Sequence, residues 1–146
     1  MKIALTGHRP NRLQKQESYI EHWIKATLEE FNDIEEVYCG MAQGADQIFA
    51  EVAIGMNIPV ICCYPYRRKK FHPNEQTIIN KAKEVRFICE KYTNSSVYWV
   101  RDKYMVDNCD VLLAVFDGKE VGGTWLTVDY ARKIGKPVLY YDYWSM

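Results

Sequence analysis

Apolar residues recur along this chain in two alternating patterns. Short apolar runs predict strands at residues 2–6, 36–39, 59–64, 85–89, 111–116 and 137–141. Between these runs, apolar residues return at helical spacing and predict helices at residues 20–31, 45–56, 74–83, 95–108 and 123–134. Strands that alternate with helices imply βαβ units and a mostly parallel sheet. The chain is therefore predicted to be an α/β protein with about six strands, in one domain over residues 1–146.

Three glycine-bearing turns each follow a predicted strand, at residues 6–9, 40–46 and 117–124. In a parallel sheet the carboxyl ends of the strands share one edge, and ligands bind along that edge. We therefore expect the three turns to form one phosphate-binding cleft. Its candidate ligand-binding residues are Thr6, Gly7, His8, Arg9, Gly40, Gln43, Gly44, Asp46, Asp117, Gly122, Gly123 and Thr124.

The second of these turns leads from a strand into a helix. Its glycines allow a sharp bend and a close approach of the backbone to a ligand, and free N–H groups at a helix start favour an anion. Asp46 lies in the first helical turn and would repel a phosphate beside it. We therefore assign Asp46 either to shaping the loop or to binding a ribose hydroxyl. The alternative is an ordinary strand-to-helix turn.

The third and first turns suggest how a phosphate is held. The backbone after Gly122 and Gly123, with the Thr124 hydroxyl, forms either a phosphate cradle or only a tight, capped loop. It is not a P-loop, because no Lys-Ser or Lys-Thr follows the glycines. Arg9 can offer its guanidinium fork to a phosphate or a carboxylate. His8 is a base, a hydrogen-bond donor or an ordinary surface residue, and no Ser or Cys is paired with it.

Composition narrows the class of function. Lys plus Arg and Asp plus Glu both number 19, and this neutral balance counts against a nucleic-acid partner. The basic run at residues 67–70 is a solvated loop, or alternatively a lid or an anion-steering patch. The five cysteines are odd in number, which argues against a complete disulfide framework. Their spacing does not resemble a metal site, so no metal is expected. No apolar stretch approaches the ~20 residues that span a bilayer. With no signal-peptide shape at the start, we expect a cytoplasmic protein.

An ordered set of motifs extends over nearly the whole chain. It comprises Gly7-His8-Arg9, then Gly40-x-x-x-Gly44-Ala45-Asp46, then Arg101 followed by Met105-Val106-Asp107 and Asp110, then Gly122-Gly123-Thr124. This set resembles the YpsA-like branch of the SLOG superfamily, which also holds the LOG phosphoribohydrolases and the DNA-processing DprA proteins. The resemblance implies a Rossmann-like three-layer sandwich, a bound nucleotide, ligand contacts from Arg101, and dimers or higher oligomers.

One departure from the pattern bears on function. LOG enzymes carry a Pro-Gly-Gly-x-Gly-Thr-x-x-Glu signature whose Glu works in glycosidic cleavage, and this chain has Thr127 at that position. We therefore expect a protein that binds an ADP-ribose-like or other nucleotide-derived ligand, as a sensor or regulator in bacterial stress or phage-conflict pathways. The first alternative is a nucleotide N-glycosidase that uses Asp46, Asp117 or Asp129. The second is single-stranded DNA binding, and fold analogy does not decide among the three.

Overall fold

Six strands form one sheet in the computed structural model, which describes residues 1–143. They are β1 (Lys2–Gly7), β2 (Glu36–Cys39), β3 (Val60–Tyr66), β4 (Glu84–Cys89), β5 (Val111–Val115) and β6 (Val138–Tyr140). Their order is β4-β3-β2-β1-β5-β6, and every neighbouring pair is parallel. The predicted α/β fold is confirmed. The last three residues of the predicted domain lie outside the described residues.

Five helices cover the two faces of this sheet. They are α1 (Glu17–Glu29), α2 (Ala45–Gly55), α3 (Pro73–Lys81), α4 (Ser96–Asn108) and α5 (Gly123–Lys133). Helices α1, α2 and α3 pack on one face, while α4 and α5 pack on the other. This arrangement is the three-layer, Rossmann-like sandwich that the sequence resemblance implied.

Side chains alternate between the two faces along each central strand. In β1, Ile3 and Leu5 join the core beneath α1–α3, whereas Ala4 joins the core beneath α4 and α5. Successive residues of a strand point to opposite faces, so a strand covered on both faces reads as an unbroken apolar run. All five residues of β5 are buried for this reason.

The order of the strands fixes where a crevice opens. From β1 the chain moves outward through β2 and β3 to β4, then returns through α4 to β5 on the other side of β1. Loops leaving β1 and β5 therefore diverge to opposite faces of the sheet. In open α/β sheets, ligands bind at such a switch point, outside the carboxyl ends of the strands.

Two local features differ from the sequence expectations. A short 3-10 turn at Pro10–Arg12, which the apolar pattern did not indicate, follows β1. Helix α4 begins at Ser96, one residue after the predicted start at residue 95, and the side-chain oxygen of Asn94 accepts the Ser96 N–H at 2.8 Å. Within residues 1–143, no helix has the length and apolar character needed to cross a membrane.

Candidate functional site

A cleft of about 360 Å³ opens at the carboxyl ends of β1 and β2 and is closed on its other side by α4 and the start of α5. It contains residues from all three glycine turns, which the topology brings to one edge. Nine of the predicted residues line it: Thr6, Gly7, His8, Arg9, Gly40, Asp46, Arg101, Gly123 and Thr124. The other four predicted residues lie outside this cleft.

Gln43, Gly44, Gly122 and Asp117 do not line this cleft. Gln43 is exposed and faces a neighbouring hollow. Gly44 has φ +97°, and a Cβ there would lie 2.6 Å from the carbonyl oxygen of His8. Only glycine allows this approach, which holds the start of α2 against the end of β1. Gly122 occupies the position before the first residue of α5.

A hydrogen bond between His8 and Asp117 links the ends of β1 and β5. The buried His8 ring accepts the Asp117 N–H on Nε2 at 3.0 Å, and burial lowers the pKa of His8. The Asp117 carboxylate accepts hydrogen bonds from Arg12 Nη2 at 2.8 Å and from Arg12 Nε at 3.0 Å. Although burial opposes it, the Lys119 N–H and Arg12 lower the pKa of Asp117. The same Nε2 atom lies 3.2 Å from Asp117 Oδ1. His8 is therefore a buried residue that joins two loops, not the surface residue that the sequence also allowed.

A buried guanidinium forms the floor of the cleft. Arg101 donates from Nη1 to the carbonyl oxygens of Gly40 at 2.5 Å and Cys63 at 3.2 Å. Its Nε donates to Asp102 Oδ1 at 2.7 Å. Within the described residues, Nη2 has no protein acceptor, and Arg101 lines the cleft. Arg101 thus ties β2, β3 and α4 together while keeping donors for a ligand.

Asp46 lies beside this guanidinium in a buried position. Burial raises the pKa of Asp46 to about 7, against the opposing charge of Arg101 and with the help of Asp102. Its Oδ2 accepts the Ala42 N–H at 3.3 Å. Asp46 therefore holds the backbone of its own loop, which is the first of the two roles that the sequence allowed.

Asp102 is a cleft residue that the sequence analysis missed. The Thr127 hydroxyl, whose nearer acceptor is the Gly123 carbonyl oxygen at 2.9 Å, lies 3.3 Å from Asp102 Oδ2, and burial raises the pKa of Asp102. A carboxylate from α4 therefore lies next to the position where LOG enzymes carry a Glu on α5. The signal was helical spacing: Tyr98, Arg101, Asp102 and Met105 occupy one face of α4, and all line the cleft.

Groups that can donate hydrogen bonds to an anion lie at the other end of the cleft. The first turn of α5 brings the backbone of Gly123 and the buried Thr124 to the wall of the cleft. The Thr124 hydroxyl makes no hydrogen bond, and Arg9 makes no ion pair, to any residue in the described range 1–143. Helix N-termini and guanidinium groups both favour anions. The site can therefore receive a phosphate without first breaking a protein contact of these two side chains.

Substituting Gly40 with alanine tests how tightly this floor is packed. A Cβ at Gly40 would lie 2.8 Å from Asp46 Oδ2 and 3.3 Å from Arg101 Nη1. We expect Gly40→Ala to lower the free energy of unfolding by about 1–3 kcal/mol through overpacking. Gly55→Ala is the matched control, because nothing lies within 4 Å of its Cβ position. Urea denaturation measures both, and equal stabilities would contradict the packing described.

Solved structures share this fold. DNA processing protein A (DprA) from Streptococcus pneumoniae superposes with a TM-score of 0.74 at 18% identity, over 95% of this chain and 49% of that chain. DprA from Helicobacter pylori, solved to explain its single-stranded DNA binding mode, gives 0.70 at 19% identity, over 96% and 64%. The molybdenum cofactor carrier protein from Chlamydomonas reinhardtii gives 0.67 at 16% identity, over 95% and 75%.

These similarities show the fold. The chain spans about half the length of the pneumococcal DprA. Because two of the three structures are DprA proteins, the expectation that nucleic acid is an unlikely partner gains no support from them.

The sequence itself identifies the family. No curated protein sequence matches the chain significantly. A family model named YpsA, described as the YspA SLOG family, matches residues 3–141, nearly the whole chain. This match agrees with the ordered motifs at the three turns and at Arg101. The chain belongs to the YspA SLOG family.

Proposed function

We propose that the cleft binds a nucleotide-derived ligand whose phosphate lies at the start of α5, and that the protein acts as a sensor or regulator. One observation carries the proposal: unengaged phosphate donors and a polar floor share a single cleft at the switch point of the sheet. The donors are Arg9, the Thr124 hydroxyl and the first N–H groups of α5. This combination suits a ligand with an anionic end and a polar body.

The start of α5 supplies the phosphate end. The first N–H groups of a helix have no partner within that helix, and the helix dipole places partial positive charge there. Arg9 is exposed beside it and adds a full positive charge. A phosphate in this position is held by directed donors and by charge together.

The floor of the cleft suits a ribose. The Asp102 side chain is 23% exposed, so its carboxylate is open to accept a ligand hydroxyl while Arg101 holds it in place. The sequence had offered Asp46 either this ribose role or the shaping of its own loop. We transfer the ribose role to Asp102, because Asp46 is engaged with the Ala42 N–H.

Removing the Thr124 hydroxyl tests the phosphate end. We expect wild-type protein to bind AMP or ADP-ribose in isothermal titration calorimetry, and Thr124→Val to bind about tenfold more weakly. A hydrogen bond to a charged group contributes about 1.5 kcal/mol, which corresponds to about a tenfold change in Kd. Thr77→Val is the matched control, since Thr77 is exposed on α3 and bonds only the Pro73 carbonyl.

Two results would count against the proposal. If neither AMP nor ADP-ribose binds at millimolar concentration, the proposed function is wrong. Equal affinities for wild type, Thr124→Val and Thr77→Val would place any bound phosphate elsewhere.

A second candidate is cleavage of a nucleotide N-glycosidic bond. It is favoured by the position of Asp102, whose carboxyl group lines the cleft 3.3 Å from the Thr127 hydroxyl and whose pKa is raised by burial. Asp129, one earlier candidate acid, pairs with Lys133 at 2.8 Å and does not line the cleft. Chromatography of AMP after incubation tests this activity. Release of adenine by wild type, but not by Asp102→Asn, would establish the enzyme.

Single-stranded DNA binding is the third candidate, and the similar DprA structures favour it. Binding to phosphates weakens steeply as salt rises. Anisotropy of a labelled oligonucleotide at two salt concentrations tests it. Salt-sensitive binding that excess AMP does not displace would favour DNA as the ligand over a small nucleotide.

A further inference from the structure

A second hollow of about 260 Å³, here called the second compartment, adjoins the cleft. It lies between the β2–α2 loop, the end of β3 and the first turn of α4. Arg9, Gly40, Ala42, Tyr98 and Arg101 line both spaces. The two are therefore neighbouring parts of one crevice along the edge of the sheet, with Arg9 and Tyr98 at their border.

The rim of the second compartment is aromatic. Tyr66 at the end of β3 packs edge-to-face against Tyr98 on α4, with ring centroids 6.4 Å apart. Tyr92, which does not line the compartment, packs edge-to-face against Tyr66 at 5.5 Å. Of the two rings that line the compartment, Tyr98 is 38% exposed and Tyr66 is half-buried. Open tyrosine rings held in place by one another are a surface on which nucleobases stack.

A positive charge without an ion-pair partner among residues 1–143 lies at the border of this compartment. Arg68, deeper inside, is engaged with Glu75 at 3.1 Å and lies over the Tyr64 ring. Arg9, at the border, makes no ion pair with any other part of residues 1–143. An anionic group is therefore favoured between the two spaces, and a neutral ring beyond it.

Gln43 gives this compartment a hydrogen-bonding edge. Its exposed side chain lines the second compartment and not the first cleft. An amide offers both a donor and an acceptor, which matches the edge of a heterocyclic base. The sequence had named Gln43 as a ligand residue, and the first cleft leaves it without a role.

We propose that the ligand is a dinucleotide: two nucleosides joined through phosphate, with the linker against Arg9 and the second base on Tyr66 and Tyr98. This inference rests on the proposed function, because the first nucleotide occupies the cleft. It goes further by giving the ligand a second base and a site for it.

Titration calorimetry with matched ligands tests the second base. AMP has one base, ADP-ribose adds a phosphate and a ribose, and diadenosine pyrophosphate adds a second base to that frame. Stacking of one base is worth about 1–3 kcal/mol, so we expect diadenosine pyrophosphate to bind about tenfold to hundredfold more tightly than ADP-ribose. Adenylyl-adenosine, joined by one phosphate, tells which linker length fits.

Tyr66→Leu is the variant that isolates the compartment, since Tyr66 lines it and not the first cleft. We expect this variant to lose the advantage of the two-base ligands while binding AMP as wild type does. Tyr140→Leu is the control, because Tyr140 is exposed on β6 at the far edge of the sheet. Thermal melting checks that both variants are folded.

The outcomes separate the two proposals. If AMP binds but the second base adds no affinity, the dinucleotide inference is overturned and the proposed function stands. The same holds if Tyr66→Leu still binds the two-base ligands more tightly than ADP-ribose, as wild type does. If no nucleotide binds, both are overturned. If affinity keeps rising from adenylyl-adenosine to a hexanucleotide, the ligand is a nucleic-acid strand, and the dinucleotide inference is overturned.

Discussion

Replacing Arg101 with methionine is expected to lower the free energy of unfolding by about 3–5 kcal/mol, the usual cost of breaking a buried ion pair by removing one partner. Arg101 is 8% exposed and bonds Gly40, Cys63 and Asp102. Methionine keeps much of the side-chain length but leaves two carbonyl oxygens and a carboxylate without their donor. These hydrogen bonds join β2 and β3 to α4, so their removal affects the whole site.

Urea denaturation of Arg101→Met and Lys103→Met measures this effect. Lys103 lies on the same helix and pairs with Asp107 at 3.0 Å, with both side chains well exposed. Exposed pairs of this kind contribute less than about 1 kcal/mol. Both variants remove one positive charge, but only the Arg101 side chain is buried. Similar losses for both would show that Arg101 does not hold the site together.

Replacing Asp46 with asparagine is expected to change how stability depends on pH. Burial raises the pKa of Asp46 from 3.8 to about 7. The folded protein then binds a proton that the unfolded chain has released, so folding loses stability as pH rises between these values. The expected loss is about 1.4 kcal/mol per pH unit between pH 5 and 7, with little further change above pH 8. Asp46→Asn removes this dependence.

The measurement is the difference in unfolding free energy between wild type and Asp46→Asn from pH 5 to pH 8. Taking a difference cancels groups shared by both proteins, including His8, whose lowered pKa acts in the opposite direction at acid pH. We expect Asp46→Asn to gain about 2–3 kcal/mol relative to wild type over this range. Asp129→Asn, at a surface pair with Lys133, serves as the control. A constant difference for Asp46→Asn would contradict a buried, proton-binding Asp46.

The fold follows from the sequence because its signals are local. Buried parallel strands must be apolar on both sides, and the run at residues 111–116 became β5 with its boundary moved by one residue. The fourth strand was identified even though its side chains are only half-buried. The 3-10 turn after β1 was missed because its residues are polar or proline, so apolar spacing carries no information about it.

The site follows from the sequence only in part. The glycine turns could be placed at one edge, because parallel strands share it. The pairing of His8 with Asp117 joins residues 109 positions apart, and no local pattern contains it. Asp102 and Tyr98 become visible only when Arg101 fixes which face of α4 points to the cleft. Tyr66 lies at the end of β3 and Tyr98 lies on α4, so their contact depends on how the strand and the helix pack in the folded protein.

Amide chemical shifts during a titration with AMP test the central claim most directly. If a phosphate binds at the start of α5, the ¹H–¹⁵N signals of Gly123 and Thr124 will shift in a saturable way, with smaller changes at Gly7. The signal of Gly55, at the carboxyl end of α2 in the groove beside His22, will remain in place. Saturable shifts confined to Gly55 and its neighbours, or none at Gly123 and Thr124, would contradict the account.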